Sequence, residues 1–194
     1  SGAVNPGAKL PVTVPRSSGQ VPSYYSHRPT GGHSNWKVEY VDGSNLPLWP
    51  FGFGRSYTSF ELSDLQLSAG EISARDAFEV SATVRNTGQR AGDEVVQLYV
   101  RDVEASLTRP VKELRGFARV SLEPGQARSV TFTLHAEQLA YVDVPGRWLV
   151  EPGEFRLLVG TSSADLPLAA SLNVVGPARV IESRCHYLTG VSIR

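Results

Sequence analysis

Serine, histidine and aspartate crowd the start of this chain: Ser17, Ser18, Ser26, His27, His33, Ser34, Asp42 and Ser44. Together these types could hydrolyse an ester, with serine as nucleophile, histidine as its base and an acid to orient the histidine. No Gly-x-Ser-x-Gly elbow presents an activated serine, and the same residues are ordinary in polar loops. A Ser/His hydrolase site in this stretch therefore stands as an alternative reading only. Carboxylate pairs are the second chemistry to consider. Asp93 and Glu94 are adjacent, so a strand would point them to opposite faces, and they read as a solvated turn. Asp64, in Ser63-Asp64-Leu65, reads as a turn or edge-strand carboxylate. His27, His33, His135 and His186 are scattered and form no zinc-type spacing with Cys185, the single cysteine. Gly52 and Gly54 precede a strand pattern rather than a helix, so they cradle no phosphate. The sequence names no catalytic residue, no metal ligand and no cofactor.

Aromatic residues give the other candidate site. Trp49, Phe51, Phe53, Tyr57 and Phe60 follow one another, interleaved with Pro50, Gly52 and Gly54. Such rings can stack on sugars, as in carbohydrate-binding modules, or wedge between domains. The proline and glycine spacing favours interdomain packing, with the carbohydrate-binding module kept as an alternative. Trp148 is expected in the core or half-buried at a strand start. Trp36 cannot be placed.

The elements that must position these residues fall into two textures. Residues 1–59 are rich in proline: Pro6, Pro11, Pro15, Pro22, Pro29, Pro47 and Pro50. Proline removes a donor and biases its predecessor to extended backbone, so no helix pattern survives. This stretch reads as an extended arm with short strands at 10–14 and 37–41. It lacks a core of its own and must lie on another surface or stay mobile. Residues 60–175 instead repeat strand signals. The run 78–85 alternates apolar and polar, and 94–100, 111–122 (with Gly116 as a bulge), 129–135, 148–150, 155–159 and 168–175 continue the series. Turns fall at Asn86-Thr87-Gly88 and Glu123-Pro124-Gly125-Gln126. Glu151-Pro152-Gly153-Glu154 reads as a hairpin connection. The only helical candidate is one turn at 136–139. About seven strands separated by Gly/Pro turns indicate an all-β, antiparallel β-sandwich of two sheets. Residues 176–194 show no period and read as a trailing arm.

Composition narrows the partners. The chain has 194 residues, with 19 Lys+Arg against 19 Asp+Glu and a formal net charge of +0. Zero net charge without a basic run argues against nucleic acid. The longest unbroken apolar run is 139–142, too short for a membrane span. At 41% hydrophobic residues, a core of ordinary size can form. A single cysteine excludes an intramolecular disulfide but leaves bacterial cytoplasm, periplasm and secretion all open. There is no methionine, even at position 1, so the reading expects a chain that begins after processing or truncation.

Several strings resemble a known family, in order and spacing. They are Val4-Asn5-Pro6-Gly7 with Leu10-Pro11-Val12-Thr13-Val14-Pro15-Arg16, Tyr24-Tyr25-Ser26-His27-Arg28-Pro29-Thr30-Gly31, and Leu48-Trp49-Pro50-Phe51-Gly52-Phe53-Gly54. Gly92-Asp93-Glu94-Val95-Val96-Gln97-Leu98-Tyr99-Val100 and Lys112-Glu113-Leu114-Arg115-Gly116-Phe117 continue the match. Across 1–175 the chain resembles the C-terminal part of family-3 glycoside hydrolases, the β-glucosidase group. The resemblance implies that 1–59 ends the second catalytic domain and that 60–175 is a fibronectin type III-like (immunoglobulin-like) sandwich. It leaves 176–194 unmatched. It implies a parent that hydrolyses O-glycosides, with an aspartate nucleophile and a glutamate acid/base upstream of this chain. Retaining glycosidases hold those two carboxyl groups roughly 5 Å apart across a sugar pocket. The expected role is thus a non-catalytic structural module that braces upstream catalytic domains. An arm orphaned from those domains offers apolar surface for a homodimer.

Overall fold

The computed structural model describes residues 4–29 and 44–194. In chain order the strands are β1 (Phe60–Leu67), β2 (Glu71–Ser73), β3 (Ala77–Asn86), β4 (Gly92–Asp102), β5 (Glu113–Leu122) and β6 (Ala127–His135). They continue with β7 (Tyr141–Val142), β8 (Trp148–Val150), β9 (Gly153–Gly160), β10 (Leu168–Val175), β11 (Arg179–Ile181) and β12 (Gly190–Ile193). Short 3-10 turns occupy Ser18–Gln20 and Ala136–Leu139, the second where the sequence places its one helical turn.

Alternation sets the sandwich. β3 buries Phe78, Val80, Ala82 and Val84, and β6 buries Val130, Phe132 and Leu134. They pair antiparallel, with Val80 opposite Phe132, so one face of the pair is continuously apolar. β1 and β12 flank them in a four-stranded sheet, β1-β3-β6-β12. The facing sheet runs β2-β10-β9-β4-β5, with one parallel pair, β10 with β2. Val96, Leu98, Leu157, Val159 and Leu172 of this sheet are fully buried. Each such side chain contributes about 1.5–3 kcal/mol on leaving water. At the β4/β5 register shift Leu98 faces Gly116 and Tyr99 faces Leu114. A Cβ on Gly116 would lie 2.9 Å from Cδ1 of Phe132, so the ring fills the space a side chain would need.

The fold departs from the sequence reading at several places. β8 and β9 form no hairpin: β8 pairs with β7 and β11 in a small third sheet, while β9 lies between β10 and β4. Both edges of β9 are occupied, so the 151–154 turn carries the chain from one sheet to another. Residues 176–194 are no trailing arm, because β11 completes the small sheet and β12 pairs with β6. In the arm, the strand expected at 10–14 is two clamps instead. Leu10 exchanges bonds with Phe53 and Gly52 (Leu10 N to Phe53 O 2.8 Å, Gly52 N to Leu10 O 2.8 Å). Val14 bonds with Trp49 and Leu48, and Pro11 and Pro15 interrupt any longer ladder. The strand read at 37–41, and Trp36, lie outside the described residues.

Candidate functional site

The arm lies on the outer face of the five-stranded sheet. Val111 N donates to His27 O (2.8 Å), Leu114 N to the Tyr25 hydroxyl (3.2 Å) and Ser163 N to Phe51 O (2.9 Å). Tyr25 stacks on Phe51 with ring centroids 4.4 Å apart, and meets Tyr99 of β4 edge-on at 5.6 Å. Beneath the arm Tyr99 is fully buried and its hydroxyl donates to Gln97 Oε1 (2.7 Å). Gln97 Nε2 in turn donates to Gly52 O (3.1 Å) and Thr161 O (2.6 Å). Burial pushes the Tyr99 phenol well above its ordinary pKa, so it stays a neutral donor. At the far end Asn5 Oδ1 accepts from Ser56 Oγ (2.9 Å) and Tyr57 N (2.7 Å), and Lys9 pairs with Glu94 at 2.5 Å.

The five aromatics of the sequence reading do not form one cluster. Trp49 stacks on Phe53 at 4.6 Å, with the Arg55 guanidinium 5.6 Å over the Trp49 ring. Phe51 belongs to the Tyr25–Tyr99 group. Phe60 packs against the sandwich core, and Tyr57 is exposed. Beside the aromatics run exposed apolar side chains: Val12, Val21, Tyr24, Leu46 and Leu48. Hydrogen bonds hold their stretches side by side, since Gln20 Nε2 donates to Ser44 O and Leu46 O, and Leu48 N to Val14 O. The sequence reading missed Gln97 and Tyr99. Their signal is that β4 is buried on both faces from Val96 to Val100, which a sheet shows only when both sides are covered.

Other singled-out residues separate widely. Asp64 is exposed on edge strand β1, at φ 53, where the register shifts between Ser63 and Gln66. Asp93 holds Arg119, while Glu94 is buried rather than in a solvated turn, because the arm covers the start of β4. Trp148 is 38% exposed, with the Arg184 guanidinium 4.7 Å over its ring. In the arm His27 Nδ1 lies 2.9 Å from Arg28 O, and Ser44 Oγ accepts from Leu46 N. His33, Ser34 and Asp42 lie outside the described residues.

Two of the four histidines are not scattered. His135 and His186 stack with centroids 3.4 Å apart. His186 Nδ1 (3.0 Å), Arg179 (3.1 Å) and Cys185 N (3.3 Å) converge on the Glu137 carboxylate. The His186 hydrogen bond, then Cys185 N and the two positive charges, outweigh burial and hold Glu137 at about 2, below its ordinary 4.5. A lowered carboxyl pKa stabilises the fold above the unfolded value and loses that contribution as pH falls. Acid is therefore expected to loosen the tail between pH 4.5 and about 2. Melting temperatures of the native chain and Glu137→Gln should converge across that window. Parallel curves would remove Glu137 from the acid response.

The sandwich and its apolar-rich strap define an immunoglobulin-like module. A family profile described as a fibronectin type III-like domain matches residues 94–163. A putative β-xylosidase of Formosa agariphila is 44% identical over 164 residues, covering 84% of this chain and 21% of its own length. A β-glucosidase structure from Erythrobacter marinus matches at TM-score 0.82 and 47% identity, over 88% of this chain and 22% of that one. The glucose complex of a Listeria innocua β-glucosidase matches at TM-score 0.83 and 39% identity, over 91% and 25%. This chain spans between a fifth and a quarter of the length of these relatives. It corresponds to the C-terminal, fibronectin type III-like region of the family-3 glycoside hydrolases and is a domain of a larger parent.

Proposed function

We propose that this chain is the non-catalytic bracing module of a β-glucosidase-like hydrolase, with residues 1–59 as the strap that closes the catalytic part and 60–175 as the sandwich that holds the strap. The observation carrying this reading is the arm itself. Its inner side is bonded to the sandwich through Tyr25, Phe51 and Gly52, while Val12, Val21, Tyr24, Leu46 and Leu48 remain exposed on it. Exposed apolar side chains gathered on one strap mark an interaction surface. Trp49 and Phe53 are the interdomain wedge beside them. The parent's substrate is a β-linked glycoside by its similarity to β-glucosidases and β-xylosidases. Freed of the parent, the same surface supports a homodimer.

The test is an assay of the purified chain on nitrophenyl β-glucoside and nitrophenyl acetate against a heat-unfolded control. Both rates are expected at the control level. Ester turnover abolished by a serine or histidine substitution within 17–44 would overturn the bracing role in favour of a hydrolase site in the arm. Retention on insoluble polysaccharide, lost in Trp49→Ala, would instead favour a carbohydrate-binding module.

A further inference from the structure

Beside the Arg28 end of the strap, a cleft of about 300 Å³ opens between the 107–115 stretch, the β7–β8 region and Arg184. That volume sits at the small end of ligand pockets. Among the described residues, four arginines line it, Arg28, Arg109, Arg115 and Arg184, against one carboxylate, Glu113. The surplus is local, since the whole chain is formally neutral. Arg109 is fully engaged, bonding Asp102 (3.0 Å), Glu113 (2.9 Å) and Leu139 O (2.8 Å). The other three are not. Arg115 shares Glu113 at 3.1 Å, yet its Nε is buried and has no partner among the described residues. Arg184 lies over the Trp148 and Tyr187 rings at 4.7 and 5.4 Å, and its Nε is likewise buried and unpartnered. Arg28 is exposed at the rim. A buried donor without an acceptor costs free energy until something accepts from it. Burial, and the like charges of Arg109 and Arg184, lower the Arg115 pKa against the pull of Glu113, as expected in a locally positive site.

Apart from Thr108, the remaining wall is apolar: Leu107, Pro110, Ala140 and Val142, with the rings of Tyr141 and Trp148. A bare inorganic anion would use none of it. Glu113 also disfavours a second negative charge. We propose that this cleft binds one carboxylate carried on a small organic body, the carboxylate on Arg115, Arg184 and Arg28 and the body against the apolar wall. Arginine is suited to this because its planar fork meets a carboxylate with two parallel bonds. The cleft shares Arg28 with the strap, but the bracing role uses the strap's exposed apolar side chains and not this arginine.

Titration calorimetry of the full chain tests it. Glucuronate represents an acidic sugar, N-acetyl-aspartate methylamide an acidic side chain, glucose the neutral isostere and sulfate a bare anion. At least one carboxylate probe is expected to bind, the tighter of the two identifying the source, with glucose silent and sulfate weaker. Arg184→Gln should weaken binding by about tenfold, the scale of one charge-assisted bond. Arg28→Gln, at an exposed position that leaves the fold intact, should weaken it by a smaller factor. No heat with either carboxylate, equal heat with glucose, sulfate as tight as the carboxylates, or unchanged affinity in both variants would each overturn the assignment.

Discussion

Gln97→Ala is expected to lower stability by about 2–4 kcal/mol, because it strips the partners from three groups at once, two of them buried. The amide donates to Gly52 O and Thr161 O and accepts from Tyr99, and both side chains are buried. Alanine restores none of these bonds. The Tyr99 hydroxyl would stay buried without an acceptor, and burial already opposes its ionisation. Gly52 cannot close the gap with a side chain of its own. It has none, and its φ of 77 disfavours any substitution there. For a domain of this size the loss corresponds to a melting temperature roughly 5–15 °C lower. Tyr99→Phe removes one bond rather than three and should cost about 1 kcal/mol. The double variant should fall short of the sum, since both changes break the same bond. Additive losses would mean the two side chains act separately. The arm of Gln97→Ala should also be cut faster by protease, since Gly52 O loses its donor from the sheet.

The strap shows what a sequence can and cannot disclose. That 1–59 is proline-punctuated and carries no helix pattern follows from composition. Which surface it takes does not, because the bonds concerned run between residues such as Gln97 and Gly52 that are far apart in sequence. The sandwich was legible wherever alternation is regular, as in β3 and β6. It was illegible in β1, where the shift at Ser63/Gln66 breaks the period of two, and in β2 and β7, which are too short to show one. The arginine cleft gave no local motif at all. Its lining comes from Arg28, Arg109, Arg115 and Arg184, and only folding makes them neighbours.

Residues 176–194 are the strongest case, and deleting them is the second large expected effect. Their strand β12 is exposed along its whole length, and the alternation in Gly190-Val191-Ser192-Ile193 is too short to mark it. It is held by backbone pairing instead. Val191 faces Phe132, and Ser129 and Arg194 exchange both of their backbone bonds (2.9 and 3.0 Å). Thr189 reinforces this by accepting from Gln138 Nε2 (3.0 Å) and donating to Arg115 O. Only β11 adds core, through Ile181, which is 4% exposed. The two strands therefore stabilise by different means, and two truncations separate them. Ending the chain after Tyr187 removes the β12 ladder and should cost about 1–3 kcal/mol, because each exposed backbone bond is worth little net. It also leaves β6 as an open edge, so concentration-dependent aggregation should appear. Ending it after Val175 additionally loses Ile181, worth about 2–5 kcal/mol when such a side chain is truncated in a core. It also strips His186 and Arg179 from Glu137, whose carboxylate would then return toward its ordinary pKa. The longer deletion should thus melt well below the shorter one and lose the acid response between pH 4.5 and about 2. Equal melting of both truncations and the full chain, by calorimetry at neutral pH, would reduce the tail to an appendage of the sandwich.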